Sequence, residues 1–485
     1  MGNVPDMLNT APGSLPRSTP EAVGIPSASL IGFLDGVRDA NLELHSVIVV
    51  RHGKVCAEGW WKPYSADQIH LVYSLSKSFT STAIGMLVDA GLVSLDDKVA
   101  SFFPDKMPAD PAANLLAMRV RDLLSMSAGQ EADPLFDLNQ RTDGDWVQSF
   151  LASPVEHEPG TKFRYSTSAT YMLSAIVQKI SGETTLAFLQ KRLFEPLGVG
   201  RVEWPTCPHG ISLGGTGICV ATETIAKLGQ LYLQKGVWEG QQLLSAEWVE
   251  TASRTHISNG DDPKSDWAQG YGFQFWRCLN GCYRGDGAFG QYCIVDDLHD
   301  SVIAITSSLG DMQAVLNLVW MHVFPAYQES ALPENSLGAD ELRERLSTLE
   351  IAGPQGLPHS EAPTSFSGTY ESVDDNAAEL LRLQFEFGDH RTVLSTTDAQ
   401  STQRLEIGIG EWIENRISLP WNSKTLVSAQ GVWQDELNYV AVLKDLESPL
   451  TVQIACRFEG DKVHMSTSYS GHFRSSTGPA FTGRR

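Results

Sequence analysis

The sequence predicts an α+β fold: an antiparallel sheet flanked by helices, with an all-α region inserted into it, followed by an all-β barrel or sandwich. Three observations carry this. Strand patterns stand at both ends of the first 325 residues with a helical, loop-rich stretch between them, so the sheet must be assembled from distant parts of the chain. From about residue 363 the pattern changes to short alternating strands separated by turn residues. One Ser-x-x-Lys, Ser74-Leu75-Ser76-Lys77, stands where an extended segment runs into a helix.

Taken in order, residues 1–25 are rich in Pro, Ser, Thr and Gly and read as an arm. Ser27 is placed to cap a helix reaching about Ala40. Strands follow at 45–51 and 54–61, turned by His52-Gly53. The apolar entry His70-Leu71-Val72-Tyr73 leads into a helix whose apolar residues recur every three to four positions as far as Val88, closed by Gly91. The helical middle includes 120–126 and a helix over 169–180, and strands return at 271–276, 281–284, 287–295 and 301–306. Residues 326–362 collect Pro, Gly, Glu and Ser around a short charged helix and read as a linker. Strands at 381–387, 404–409, 425–432, 437–442, 451–458 and 463–469 then build the second domain. The expected organisation is therefore an arm (1–25), a first domain (26–325), the linker (326–362) and an all-β domain (363–485).

Composition excludes several classes of function. With 58 acidic against 36 basic residues the formal charge is -22, which opposes binding to nucleic acid or to an anionic membrane. Seven cysteines (Cys56, Cys207, Cys219, Cys278, Cys282, Cys293, Cys456) are scattered without metal-ligand spacing and give no disulfide framework. His256, His299 and Asp300 show no ligand spacing either, so neither a metal nor a cofactor is expected. Met1-Gly2-Asn3-Val4-Pro5-Asp6 lacks the basic and apolar regions of a signal peptide, and Asp6 breaks the myristoylation pattern. No apolar run approaches the roughly 18 residues a membrane span needs. A cytoplasmic location is expected.

Ser74 and Lys77 carry the chemistry. Residues three apart on a helix share a face, so the lysine amine lies over the serine hydroxyl. Serine is a poor nucleophile until a neighbouring base takes its proton, and burial holds a lysine amine neutral enough to do so. The helix N-terminus adds N–H groups aimed at developing negative charge. A single Ser-x-x-Lys is unsurprising in a chain of this length, so its weight comes from the motifs downstream of it.

Tyr73 to Ser78, Gly91 to Val99, Val120 to Met126, Pro159-Gly160-Thr161 through Tyr165-Ser166, Gly214-Gly215-Thr216-Gly217 through Tyr232, and Gly287 to Thr306 occur in that order. In this set the stretch from about residue 20 to 325 resembles the serine β-lactamase and penicillin-binding-protein superfamily, in particular its class C-like esterase and peptidase branch. The resemblance implies that Ser74 is acylated, that Lys77 accepts its proton, and that Tyr165, as a phenolate, shuttles protons to the leaving group. It implies an oxyanion hole of the Ser74 and Ala288 N–H groups, and places Thr167, Arg284, Asp286 and Gly287 against substrate. The all-β domain, from Phe366-Ser367-Gly368-Thr369-Tyr370, resembles lipocalin-like modules appended to some members.

Two departures from the family pattern shape the functional expectation. The second motif reads Tyr165-Ser166-Thr167, with threonine where asparagine is usual, and Gly285-Asp286-Gly287 stands where relatives carry Lys-Thr-Gly or His-x-Gly. An aspartate there repels a substrate carboxylate, whereas it suits an ammonium. Arg284 either restores positive charge or pairs with Asp286, and Asp286 between two glycines also reads as a turn residue. Gly210-Ile211-Ser212-Leu213-Gly214 matches a nucleophile elbow, yet lacks the strand before it and the helix after it that such an elbow needs. Trp60, Trp61, Tyr64 and Trp267 are candidates for the walls of a cleft or for core packing. The expected function is a serine hydrolase cleaving a small ester or amide, an esterase or D-amino-acid amidase or peptidase rather than an efficient β-lactamase. The alternatives are an acyltransferase using the same acyl-enzyme and a non-catalytic binding protein. Its expected partner is a small-molecule substrate, with no nucleic acid and no membrane, and homo-oligomers are compatible with the sequence.

Overall fold

The computed structural model describes residues 13–135, 142–357, 363–373, 379–419, 422–473 and 476–485. The first twelve residues of the expected arm and residues 358–362 of the expected linker lie outside the described residues. The chain forms two compact units: one runs to Trp60 and from Leu71 to Thr348, the other takes Trp61–His70 and Leu349–Arg485.

In the first unit, helix α1 (Ser27–Asp39) is followed by the hairpin β1 (Leu44–Arg51) and β2 (Lys54–Trp60). Four further strands come from more than 200 residues later: β3 (Trp276–Arg277), β4 (Tyr283–Gly287), β5 (Gln291–Asp296) and β6 (Ser301–Ser307). They assemble an antiparallel sheet in the order β2-β1-β6-β5-β4-β3. Every residue of β1, β5 and β6 is buried, so both faces of the central strands are covered. The helices in between are α2 (Ser76–Asp89), α3 (Val120–Leu124), α4 (Trp146–Ala152), α5 (Thr167–Ser181), α6 (Thr222–Leu233) and α7 (Ala246–Ser253), with α8 (Met312–Leu318) and α9 (Ser336–Ser347) after the sheet. Helix α6 lies across β1, β5 and β6. Gly229 permits this approach, since a Cβ there would lie 2.5 Å from Val302 Cγ1 and 3.0 Å from Cys293 Sγ. The helix expected within the linker, α9, packs on α1, where Arg345 meets Asp35 at 2.6 Å.

In the second unit the strands are β7 (Gly368–Ser372), β8 (Arg382–Phe387), β9 (Arg391–Thr397), β10 (Thr402–Gly408), β11 (Ile413–Leu419), β12 (Asn422–Trp433), β13 (Asn438–Asp445), β14 (Thr451–Glu459), β15 (Lys462–Ser470) and β16 (Thr477–Arg484). They run β10-β9-β8-β7-β16-β15-β14-β13-β12, and a pairing of Gly408 with Gln430 joins β10 to β12, so nine strands close a barrel and β11 adds to β12. Alternation follows the pleat: Val463 and Met465 are buried while Lys462, His464, Ser466 and Ser468 are not. Phe366, Tyr370, Phe385, Phe387, Trp433 and Phe458 fill one end, with Phe387 and Trp433 rings 4.9 Å apart.

Local expectations needed correction at four places. The expected strand over 287–295 is broken by a turn, with Gly290 N donating to Gly287 O at 3.1 Å and Phe289 at φ 64, so that β4 ends at Gly287 and β5 starts at Gln291. Ser27 is the first helical residue rather than the cap, because Pro26 precedes the helix and the Ser27 N–H donates to Glu21 Oε1 at 2.9 Å. Residues 271–276 form a tight loop, with Gly272 N donating to Phe275 O and Gln274 at φ 68, and the strand begins only at Trp276. Strands β7, β9, β11 and β16 were not foreseen, since Ser, Thr and charged residues occupy much of them.

Gly229→Val is expected to lower the stability of the first unit by about 1–3 kcal/mol through overpacking against β6. Thermal unfolding measures it, and an unchanged midpoint would show that α6 can lift off the sheet freely.

Candidate active site

Ser74 occupies the middle of a single 3-10 turn, Tyr73–Leu75, between the short strand His70–Leu71 and α2. The turn is held by its surroundings. Tyr73 adopts φ 44 and Phe289, in the loop after β4, φ 64; both are left-handed positions unfavourable for aromatic residues, and their rings meet at 5.4 Å. Helix α2 is buried from Ser76 to Leu87 and pinned to the glycine-rich loop beside it. Ser76 Oγ accepts from Ile218 N at 3.1 Å, and Thr80 Oγ1 donates to Gly214 O at 2.9 Å.

Lys77 enters this packing with 1% of its surface exposed. Its Nζ lies 3.1 Å from Ser74 Oγ, 3.2 Å from Thr167 Oγ1 and 2.6 Å from Gly215 O. Burial is the larger influence on the amine, and although Asp133 and Asp286 oppose it, the pKa falls from 10.5 to about 7. A neutral amine donates two hydrogen bonds and accepts one. Donation to Gly215 O and Thr167 Oγ1 leaves its lone pair for the Ser74 hydroxyl proton.

Tyr165 stands on the other side of the same hydroxyl, hydrogen-bonded to Ser74. Its ring lies 4.8 Å from Lys77 Nζ and stacks on Trp276 at 5.4 Å, within a cluster of Phe163, Tyr271, Trp276 and Trp267. Burial moves its pKa well above the usual phenol value, against the lowering by the Ser74 hydrogen bond. Desolvation thus favours a phenol over the phenolate that the family resemblance implies, as it favours the uncharged form of the amine.

The threonine at the second motif has a defined place. Thr167 is the first residue of α5, and its hydroxyl accepts from Lys77. The start of α5 is capped by Asp133, whose carboxylate accepts from Thr167 N at 2.7 Å, Ser168 N at 3.2 Å and Ser166 Oγ at 3.1 Å. A carboxylate at a helix N-terminus is favourable, and this one also places negative charge near Lys77.

Strand β4 runs along the Ser74 turn and the start of α2. A Cβ on Gly285 would lie 2.8 Å from Ser78 Oγ, and one on Gly287 only 2.1 Å from Val72 O. These glycines serve close approach, not a turn, and Asp286 between them is a buried strand residue. The turn reading of Asp286 is thus overturned. Its carboxylate accepts from Arg284 Nε at 3.0 Å and from the Trp267 side chain. Arg284, wholly buried, also donates to Asp266 O at 2.9 Å and stacks on Trp267 at 4.6 Å. Asp286 is consequently paired with Arg284, whose Nη2 is buried without a hydrogen-bond partner among the described residues. Ala288 follows the strand, and Gln291 Nε2 holds its carbonyl at 3.1 Å.

A family model for beta-lactamases matches residues 37–318. The chain belongs to the beta-lactamase family. It is 26% identical over 284 residues to the 6-aminohexanoate-dimer hydrolase of Paenarthrobacter ureafaciens, a match covering 54% of this chain and 72% of that one. The octameric penicillin-binding protein homologue from Pyrococcus abyssi superposes with a TM-score of 0.50 at 16% identity, covering 94% of this chain and 99% of that one. EstCE1, described as a hydrolase with promiscuous acyltransferase activity, gives 0.51 at 17% identity over 61% of this chain and 99% of its own. This beta-lactamase family member is an enzyme, a hydrolase of the serine β-lactamase and penicillin-binding-protein superfamily. No helix among its described residues is long and apolar enough to cross a membrane.

Other singled-out residues lie elsewhere. Ser212 is fully buried and its Oγ accepts only a distant bond from Leu186 N, at 3.5 Å, so the elbow-like motif is a packed loop. His256 stacks on Phe273 at 3.8 Å, and His299 pairs with Asp296 at 2.5 Å. Among the described residues no group of three His, Cys, Asp or Glu is arranged to hold a metal. Of the four aromatic candidates only Trp267 reaches the Ser74 region; Trp60 packs on the first core, and Trp61 and Tyr64 belong to the second unit. Sequence reasoning missed Asp133, the Gly215 carbonyl and the Tyr271–Trp276 box. Asp133 has no local motif beyond an Asp-Pro turn signal.

Lys77 pays for its position in stability. The unfolded chain binds a proton at Lys77 below pH 10.5 and the folded one only below about pH 7, so folding is disfavoured throughout that window and at all lower pH. Lys77→Met is expected to stabilise the protein by about 1–3 kcal/mol at pH 7, after allowance for the lost hydrogen bonds. Denaturant unfolding should show the advantage shrinking as pH rises towards 10; a constant difference would mean that Lys77 is not deprotonated by folding.

Proposed function

We propose that the protein cleaves a small ester or amide through an acyl-enzyme on Ser74. The observation that carries this is the single buried amine within reach of Ser74 Oγ, Thr167 Oγ1 and Gly215 O, its pKa brought to about 7. Neutral Lys77 takes the Ser74 proton as Oγ attacks the carbonyl carbon. The N–H groups of Ser74 and Ala288 receive the developing oxyanion. Tyr165, held as a phenol against Ser74, gives its proton to the departing alcohol or amine and regains one through Lys77. Water then repeats the sequence on the acyl group.

Paired charges around the site support an ester or a neutral amide over a β-lactam. Asp286 is bound to Arg284 and Trp267, so β4 supplies no cation for a substrate carboxylate, and Asp133 adds negative charge nearby. The same pairing offsets the charge that Asp286 offers an ammonium. The octameric homologue supports homo-oligomerisation, which light scattering of the purified chain decides.

A fluorophosphonate probe should label Ser74, located by peptide mass mapping, and Ser74→Ala should abolish hydrolysis of p-nitrophenyl esters. Lys77→Ala and Tyr165→Phe are expected each to lower kcat/KM by about 100- to 10,000-fold with the fold retained. In the intact enzyme kcat/KM should rise with pH through an apparent pKa of about 7 and then level. Labelling at Ser212, or a flat profile from pH 5 to 9, would sink the assignment.

A further inference from the structure

Three of the seven cysteines are made less reactive by position: burial pushes the thiols of Cys56, Cys293 and Cys456 up to about 12. Cys278 and Cys282 are buried as well, 4% and 3% exposed, but they stand together. They face each other across the tip of the β3–β4 hairpin, where Cys278 N donates to Cys282 O at 3.0 Å and Gly281 N to Cys278 O at 3.1 Å. Directly opposed residues of an antiparallel pair have Cα atoms about 4.5–5.5 Å apart, within the roughly 4.4–6.8 Å that a disulfide spans. The two thiols are hydrogen-bonded to each other. Beneath them lies Arg284, whose Nη1 donates to Cys278 Sγ at 3.3 Å while its Nε holds Asp286. Burial raises the Cys278 thiol, but the bond from Cys282 and the Arg284 charge outweigh it and hold it below the ordinary value. Cys282, which gives its hydrogen bond to Cys278 and is itself buried, titrates well above. One sulfur thus gives up its proton more readily than its partner, the division that thiol–disulfide exchange uses. The hairpin closes the end of the sheet, and Leu279 at its tip is 38% exposed.

We propose that Cys278 and Cys282 are a redox-active dithiol, oxidised by a low-molecular-weight disulfide to an internal disulfide, and that Arg284 transmits the change to Asp286 beside Ser74. Cys278 thiolate attacks one sulfur of the external disulfide, forming a mixed disulfide and releasing one thiolate. Cys282 loses its proton to solvent, attacks Cys278 Sγ and releases the second thiolate, so two electrons pass from the pair to the oxidant. The product sulfur carries no charge. Arg284 loses the anionic partner at its Nη1 and is left with Asp286, which alters the field at Lys77.

Both cysteines fall in one peptide between Arg277 and Arg284, which makes the test direct. The intact protein is equilibrated with oxidised and reduced glutathione, alkylated, digested with trypsin and weighed. Peptide 278–284 is expected to lose two hydrogens and take up no alkyl group, while Cys56, Cys293 and Cys456 alkylate only after unfolding. Ester hydrolysis should change by about fivefold or more and return with dithiothreitol. Cys282→Ser should hold glutathione on Cys278, and Cys219→Ser should behave as the parent. A peptide that remains doubly alkylated under oxidising ratios, or oxidation that begins at another cysteine, overturns the dithiol. A disulfide without any change in rate overturns the link through Arg284. The rate measurement rests on Ser74 being the nucleophile; the mass measurement does not, and it needs no variant to fold.

Discussion

Burial disfavours an ammonium group where Lys77 sits, and much of the first unit is arranged around that constraint. The side chain is buried by α2, α5 and the 214–218 loop, and three oxygens meet its nitrogen. Two of them are satisfied by the N–H bonds of a neutral amine, and the third is the Ser74 hydroxyl. Burial therefore lowers the amine's proton affinity in a way that no charged neighbour does. The nearest charges, Asp133 and Asp286, pull the other way and limit the fall to about pH 7.

The glycines and the left-handed residues around Ser74 follow from the same packing. Strand β4 must pass within backbone contact of Val72 and Ser78, which leaves no room for a Cβ at Gly285 or Gly287. Gly215 is equally confined, since a Cβ there would lie 2.6 Å from Thr167 O. That approach brings the Gly215 carbonyl to Lys77, and it explains how a threonine replaces the family's asparagine. The carbonyl and the hydroxyl together occupy the amine's two donors.

Behind β4 the polar groups form a continuous chain from the surface hairpin inwards: Cys282, Cys278, Arg284, Asp286. A buried guanidinium needs partners on several sides, and here a thiol, a carboxylate, the Asp266 carbonyl and the Trp267 ring provide them. Asp286 and Arg284 thus offset each other's charge behind β4.

The fold class, the hairpin β1–β2, the helix bearing Lys77 and the pairing of Ser74 with Lys77 were legible in the sequence, because apolar periodicity and Ser-x-x-Lys spacing are local properties. Half-exposed barrel strands such as β9 and β11 were not, since polar residues fill their solvent face and blur the alternation. Tyr165 and Thr167 could be named from motif order, but their protonation and partners could not. Asp286 shows the limit most clearly: its flanking glycines look like a turn until α2 is placed against them. Asp133 lies 56 positions from Lys77 and the Gly215 carbonyl 138, so only the folded chain brings them to the amine. Residue identity determined which groups can react; burial and long-range contact decided which of them carries the proton.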